Sequence, residues 1–189
     1  GSTTVILTDK TGTLTQAKME LSKINSFNGE DSELVMKLAA LNSDVIIENP
    51  KDPHDKWRII GRPLEVAVIK AAAKLEIMPS QVKKEIKVIN YLPFNSANKF
   101  SASAIEFNGK KMICLFGAPE ILLKLSSQTP EEKRRQIAKE IDKMAYSGER
   151  VLGIALKDVS KSSQELNLVT KQKFENFKAD IATLNRLDT

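Results

Sequence analysis

One aspartate near the start of the chain has the setting of a nucleophile. Residues 4–8, Thr-Val-Ile-Leu-Thr, form a short apolar run that is typical of a buried strand in a parallel sheet, and Asp9 follows it directly. Ligands of open α/β sheets bind at the carboxyl ends of the strands. A carboxylate at such a place can attack a phosphoryl group and form an aspartyl phosphate. The alternative is that Asp9 only turns the chain or caps a loop.

The loop after Asp9 favours phosphate chemistry. It reads Lys10-Thr11-Gly12-Thr13-Leu14-Thr15. Successive backbone N–H groups and hydroxyls can cradle a phosphate, and we expect the first four residues of this loop to do so. A Mg²⁺ ion normally bridges the carboxylate and the phosphate oxygens in such chemistry, and Asp9 and Thr11 are its expected ligands.

The composition argues against several other kinds of site. The chain has 189 residues and one cysteine, so an internal disulfide and a cysteine-based zinc cluster are excluded. A single histidine, His54, argues against most other metal sites and against a Ser-His-Asp triad. The net charge of +5 is modest and the basic residues are scattered, so we expect no nucleic-acid partner. No run of about 18 apolar residues occurs, and the chain is not expected to span a membrane.

Apolar spacing and turn residues predict an α+β fold in which helices flank an antiparallel sheet. The clearest signal is Asn108-Gly109, the preferred pair for a two-residue type I′ hairpin, between two β-like runs. Pro63 suits the first position of a helix, and Gly148 suits the end of another. Residues 43–57 carry two Pro-containing turn signals and predict a surface loop. The predicted helices are 31–42, 63–75, 118–125, 129–148 and 168–187; the predicted strands are 4–8, 18–27, 57–60, 85–92, 99–107, 110–116 and 150–156.

The string from Asp9 to Thr15, Asp-Lys-Thr-Gly-Thr-Leu-Thr, resembles in full the phosphorylation signature of P-type ATPases. In that family it follows the first strand of the phosphorylation domain, a Rossmann-like fold shared with haloacid dehalogenases, and the nucleotide-binding domain is inserted after it. The resemblance implies that residues 1–16 are a fragment of the phosphorylation domain. It also implies that residues 17–158 are the nucleotide-binding domain and that residues 159–189 are a partly helical return segment or tail.

Four further segments resemble the inserted domain in the expected order. They are Gly61-Arg62-Pro63-Leu64-Glu65, similar to Gly-Asp-Pro-Thr-Glu; Leu92-Pro93-Phe94-Asn95-Ser96-Ala97-Asn98-Lys99, similar to Pro-Phe-Asn-Ser…Lys; Phe116-Gly117-Ala118-Pro119-Glu120, similar to Lys-Gly-Ala-Pro-Glu; and Gly148-Glu149-Arg150-Val151-Leu152, similar to Gly-x-Arg-Val-Leu. With the signature, the resemblance covers roughly residues 4–158, which is most of the chain.

The resemblance implies a role for each of five residues. Phe94 would stack on the adenine ring of ATP, and Lys99 would line the adenine pocket and add positive potential. Glu65 would accept hydrogen bonds from the adenine amino group or from a neighbouring binding residue. Arg150 would contact the phosphates, and Gly117 would let the backbone approach the nucleotide closely.

Each of these roles has a structural alternative. Phe94 alone would be read as a core residue, Lys99 as an exposed strand residue, and Glu65 as a partner of a helix dipole. Arg150 and Gly117 also suit ordinary turns.

The sequence departs from the family pattern at four places in these motifs. Phe116 replaces the usual lysine, which removes a cation from the pocket and adds apolar or stacking surface. Arg62 replaces the usual aspartate and Leu64 the usual threonine. Ser96 lies where some calcium pumps carry an arginine.

The function implied by the resemblance is that of the ATP-binding domain of a cation-transporting pump. ATP would present its γ-phosphate to Asp9 when the domains close, with the remaining phosphorylation, actuator and transmembrane domains as partners. The Thr-Gly-Asp and Gly-Asp-Gly-x-Asn-Asp segments of the family are absent after residue 158. We therefore expect a cytoplasmic piece of an integral membrane protein, from the plasma membrane of a prokaryote, that binds ATP without turning it over.

Two other functions remain open from the residues. One is a phosphatase of the haloacid dehalogenase class. Such enzymes usually carry a second aspartate two residues after the nucleophile, as a general acid and base, and that position is Thr11 here. The other is a nucleotide- or protein-binding module in which Asp9 is vestigial.

Overall fold

A computed structural model describes residues 19–25, 31–126 and 129–160 of the chain. Asp9, its phosphate loop and the predicted helix 168–187 lie outside the described residues. The elements, in chain order, are α1 Ser32–Leu41, β1 Val45–Ile47, a 3₁₀ turn His54–Lys56, β2 Ile59–Gly61, α2 Pro63–Lys74, α3 Pro79–Glu85, β3 Lys87–Leu92, β4 Phe100–Phe107, β5 Lys110–Gly117, α4 Pro119–Leu125, α5 Glu131–Tyr146 and β6 Gly153–Asp158.

Four strands form an antiparallel sheet in the order β3-β4-β5-β6, and β1 pairs with β2 in a separate ribbon. This arrangement confirms the predicted α+β fold. The hairpin between β4 and β5 is where the Asn-Gly pair placed it: Asn108 has φ 49° and Gly109 has φ 73°. Both residues have the positive φ that a type I′ turn requires, so local chemistry sets the register of the two central strands.

Helices cover both faces of the sheet. On one face, Ala104, Leu115 and Leu122 belong to an apolar cluster formed by residues of β4, β5, β6 and α4. On the other face, Ile105 and Phe116 join a larger cluster built by α1, α2 and α3. Strand residues alternate between the two faces, so neighbours along β5 enter different clusters. The sheet is thus the shared wall of two apolar cores.

Single residues with capping or turn preferences mark several helix ends. The side chain of Asp31 accepts a hydrogen bond from the backbone N–H of Glu33 at 2.9 Å, so it is the N-cap of α1. Pro63 opens α2 as predicted. The turn after α5 uses Gly148, which has φ 80° and donates its N–H to the carbonyl of Ala145 at 3.0 Å.

Two local predictions were wrong, and one helix was missed. Residues 19–25 of the predicted strand 18–27 have no regular structure, since Ile24 packs against the helical cluster instead of pairing with a strand. Strand β1 lies inside the predicted loop 43–57, and α3 was not predicted at all. Both elements are short, and a three-residue strand has too few positions to show a period.

Candidate functional site

Three side chains from the predicted motifs meet at the start of α2. Nε of Arg62 donates to Oε2 of Glu65 at 3.0 Å, and a second guanidinium nitrogen donates to Oε1. The guanidinium carbon of Arg62 lies 4.0 Å from the centroid of the Phe94 ring. We call Arg62, Glu65 and Phe94 the Arg62 cluster. One cation therefore bridges a carboxylate and an aromatic face.

The backbone around Pro63 explains the ion pair. Arg62 has φ −68° and ψ 143°, the extended conformation that a residue before proline adopts. Pro63 then starts the helix, and Glu65 lies in its first turn, three residues after Arg62. Glu65 is 4% exposed, whereas the side chain of Arg62 is 44% exposed. The carboxylate is thus fixed by the helix, and the guanidinium reaches it from solvent.

Phe94 lies on the connection between β3 and β4 and is 37% exposed. It is therefore not the core residue that a phenylalanine after proline could have been. The turn after it is held by Asn95, whose side-chain oxygen accepts from Asn98 N–H at 2.7 Å and whose carbonyl accepts from Lys99 N–H at 2.8 Å. This turn presents the Phe94 ring beside α2.

Lys99 and Gly117 lie next to each other at the end of the central hairpin. The carbonyl of Lys99 accepts from Ala118 N–H at 2.9 Å. A Cβ atom on Gly117 would lie 2.3 Å from that carbonyl oxygen and 2.6 Å from Cα of Phe100. The close approach that needs a glycine here is therefore to the chain itself. The side chain of Lys99 is exposed, on a residue with φ 60°.

The register of the four strands places the connections that carry the predicted binding residues at one end of the sheet. Phe100, the first residue of β4, lies opposite Gly117, the last of β5, and Gly117 lies opposite Gly153, the first of β6. β3 ends here as well, since Leu92 pairs with β4 two residues from its start. This end of the sheet carries four predicted residues: Gly117 at the end of β5, and Phe94, Lys99 and Arg150 on the connections.

Arg150 lines a cavity to which the residues of the Arg62 cluster do not contribute. It is exposed on the connection between α5 and β6 and lines a cavity of about 490 Å³, together with residues 19–25 and parts of α1, α2, α4 and α5. Of the predicted binding residues that the structure describes, Arg150 alone lines this cavity. Phe116 and Leu64, two of the departures from the family pattern, also line it.

Two residues that the sequence did not single out, Tyr91 and Asp44, lie within electrostatic reach of the Arg62 cluster. Burial raises the pKa of the Tyr91 phenol, and the carboxylates of Asp44 and Glu65 raise it further. The hydrogen bond to Glu65 raises the pKa of Arg62 despite partial desolvation, with smaller contributions from Tyr91 and Asp44. The sequence offered one sign of Tyr91: it is an aromatic residue only three positions before Phe94.

The predicted phosphate loop and the Mg²⁺ ligands Asp9 and Thr11 are outside the described residues and stay predictions. Within residues 19–25, 31–126 and 129–160, no group of three or more His, Cys, Asp or Glu side chains could hold a metal ion. In the same ranges, no helix combines the length and the apolar character needed to cross a membrane.

Known proteins resemble this chain over most of its length. A calcium-transporting ATPase of Lactococcus lactis is 30% identical over 184 residues, which cover 89% of this chain and 21% of the relative. A plasma membrane-type calcium-transporting ATPase of Arabidopsis thaliana is 31% identical over 198 residues, covering 92% and 18%. The alpha-B subunit of a sodium/potassium-transporting ATPase from Artemia franciscana is 29% identical over 188 residues, covering 81% and 19%.

The chain spans about a fifth of the length of these relatives. The family described as P-type ATPase, cytoplasmic domain N, matches residues 31–185, which is well over half of the chain and includes every described element from α1 to β6. The match includes the Arg62 cluster, Lys99, Gly117 and Arg150, so the chain belongs to the cytoplasmic N domain family of P-type ATPases.

Proposed function

We propose that this chain is the ATP-binding domain of a cation-transporting P-type ATPase, and that the purine stacks on Phe94. The observation that carries the proposal is an aromatic ring, 37% exposed, held beside a carboxylate that is 4% exposed. A purine needs a flat apolar face and a polar partner for its edge, and these two side chains offer both. The names of the relatives, which are calcium- and sodium/potassium-transporting ATPases, support the choice of a cation pump.

The remaining binding residues divide between base and phosphates in this proposal. Glu65 accepts a hydrogen bond from the adenine amino group or from Arg62. The exposed ammonium of Lys99 adds positive potential near the base, while Arg150 supplies a fork of N–H donors for phosphate oxygens. Gly117 supports the pocket by allowing its strand to lie against Lys99.

The chemistry of the whole pump is part of the same proposal. A carboxylate oxygen of Asp9 forms a bond to the γ-phosphorus. The bond between that phosphorus and the β–γ bridging oxygen breaks, and ADP leaves. Asp9 and Thr11 would hold Mg²⁺, which neutralises charge on the transferred group. The phosphoenzyme would bias a conformational change that moves ions, together with the remaining domains, in the plasma membrane of a prokaryote.

Titration of ATP into the isotope-labelled chain, followed by amide chemical shifts, tests the pocket. We expect shifts at Phe94, Lys99 and Arg150. Phe94→Ala should weaken ATP binding by about tenfold or more, because one base loses its stacking partner. Tyr146→Ala is the matched control, since Tyr146 is a 94% exposed aromatic residue at the end of α5.

The proposal fails if saturating ATP moves no signal at Phe94 or Arg150. It also fails if the two alanine variants weaken binding equally, because the loss would then not depend on the Phe94 ring.

A further inference from the structure

One face of the Phe94 ring is already occupied. The guanidinium of Arg62 lies 4.0 Å from the ring centroid, which is a stacking distance for a planar cation on an aromatic face. Two hydrogen bonds to Glu65 hold the guanidinium there. Both oxygens of the Glu65 carboxylate are therefore engaged by the side chain that covers Phe94.

A purine and the Arg62 guanidinium need the same two groups. Each uses a flat aromatic face, and each can donate N–H hydrogen bonds to a carboxylate. If the base stacks on the face of Phe94 that the guanidinium covers, the two compete for that face and for Glu65. This competition exists because the chain has an arginine at position 62.

We propose that Arg62 is a covering side chain: it closes the Phe94 face when the domain is empty and leaves that face when the base binds. The inference rests on the proposed function, because it concerns regulation of the same site. Arg62 thereby sets the apparent affinity for ATP. Only the fraction of molecules with an uncovered ring can accept the base, and the dissociation constant rises by the inverse of that fraction.

The covering contact is built to be reversible. The side chain of Arg62 is 44% exposed, so its charge can turn into water without moving the backbone. A cation–π contact at a partly exposed site is weak, so the contact with the ring itself costs little to break. The backbone of Arg62 is held by β2 on one side and Pro63 on the other, so release involves side-chain rotation alone.

Glu65 determines what must replace Arg62. Its carboxylate is 4% exposed, and a buried carboxylate without a donor is costly. When the guanidinium leaves the ring, either the base must donate to Glu65 or Arg62 must keep one of its two hydrogen bonds while its plane turns away. Release of the Phe94 face and engagement of Glu65 by the ligand are therefore coupled.

The first test compares ATP affinities by calorimetry. Arg62→Ala should bind ATP about three- to tenfold more tightly than the unaltered chain, because the covering contact no longer competes. Arg58→Ala is the control: Arg58 is also an exposed arginine paired with a glutamate, Glu48, at 3.6 Å, and its removal makes the same change in net charge. We expect its affinity for ATP to be unchanged. Equal or weaker binding by Arg62→Ala overturns the proposal.

A second variant guards against loss of folding, because Arg62→Ala leaves the buried Glu65 without its partner. Arg62→Lys keeps a cation for Glu65 but loses the planar group that stacks on Phe94. It should tighten ATP binding by a smaller factor than Arg62→Ala. Circular dichroism of each variant verifies that the helices remain.

A third measurement follows Arg62 itself. Its Nε–H donates to Glu65 and should give a resolved signal in a nitrogen-15 spectrum of the empty chain. Saturating ATP should shift or broaden that signal while the Phe94 ring protons move. If the Phe94 signals move and the Arg62 signal stays, the base stacks on the opposite face of the ring and the covering role is wrong.

The outcomes separate this inference from the proposed function. If ATP binds, Phe94→Ala weakens it and Arg62→Ala does not tighten it, the covering role falls and the ATP site stands. If ATP binds neither the unaltered chain nor Arg62→Ala, the ATP site falls and the covering role falls with it.

Discussion

Two polar clusters lie beside the central sheet, and they differ in their access to solvent. The Arg62 cluster is charged and partly exposed, with its ion pair at the start of α2. The second cluster, which we call the thiol cluster, consists of Asn42, Ser103 and Cys114, each 0% exposed. Asn42 Nδ2 donates to Cys114 Sγ at 3.3 Å, and Ser103 lies opposite Cys114 in the β4–β5 ladder.

This difference in burial determines whether the polar groups of a cluster can change their partners. In the Arg62 cluster, the side chain of the cation is 44% exposed, and the proposed exchange of its partners for a ligand needs this access to water. In the thiol cluster no such path exists. Burial raises the pKa of Cys114 to about 12, although Asn42 and Ser103 act to lower it. The thiol therefore packs as a small apolar residue.

The largest expected effect is on the reactivity of that thiol. Cys114 is the single cysteine of the chain, so any reaction with a disulfide reagent such as dithionitrobenzoate reports on it alone. In the native protein the reaction should be at least about a thousandfold slower than in denaturant, because it requires opening of the core. A native rate close to the denatured rate would place the thiol cluster at the surface and remove the contrast.

The next effect is on stability at alkaline pH. The unfolded thiol ionises near its ordinary pKa of 9.0, whereas the folded thiol stays protonated up to about 12. The contribution of Cys114 is thus complete below pH 9 and is lost as the pH rises, at about 1.4 kcal/mol per unit. Denaturant unfolding of the unaltered chain and of Cys114→Ala, between pH 8 and about pH 10.5, should show this extra slope in the unaltered chain only.

Other ionisable groups, such as Tyr91, are common to both proteins and cancel in the comparison. A reductant must be present, so that oxidation of the thiol does not contribute. Parallel slopes would mean that Cys114 titrates alike in the folded and unfolded states.

The sequence predicted the scaffold better where local chemistry decides the structure. Asn108-Gly109 requires a tight turn, and Pro63 marks a helix start, so the central hairpin and α2 were predicted close to their true bounds. Strand β1 has three residues, and its central Ile46 is 65% exposed opposite Ile60, which is 55% exposed. It is a strand because it pairs with β2, and no residue pattern close to β1 in the sequence predicts that pairing.

The site was predicted by motif and not by geometry. The motifs singled out Glu65 and Phe94, and the structure places both against Arg62. From the sequence, Arg62 was visible only as a departure from the family pattern. Its place on the Phe94 ring depends on how the β3–β4 connection approaches α2, some 30 residues away in the chain, and no spacing rule gives that approach. Asp9 and its loop remain predictions.

The smallest expected effect distinguishes two serines that look alike in sequence. Ser101 and Ser103 are both buried on the same face of β4. Oγ of Ser101 lies 3.3 Å from the carbonyl oxygens of Asn42 and Phe116, and its single proton is shared between these two acceptors. Oγ of Ser103 has no hydrogen-bond partner with ordinary geometry among the described residues, and neither has Oδ1 of Asn42.

Ser101→Ala should therefore lower the free energy of unfolding by about 1 kcal/mol, since a buried carbonyl loses a donor. Ser103→Ala should leave it unchanged or raise it slightly, because the variant removes a buried hydroxyl that gains little from folding. Denaturant unfolding at neutral pH measures both. The carbonyl of Asn42, one of the two acceptors of Ser101, also accepts from the Tyr91 hydroxyl at 3.4 Å. The expectation is wrong if Ser103→Ala lowers the free energy of unfolding as much as Ser101→Ala does. The Ser103 hydroxyl would then have a hydrogen-bond partner in solution, such as a buried water between it and Asn42, and water would reach the thiol cluster.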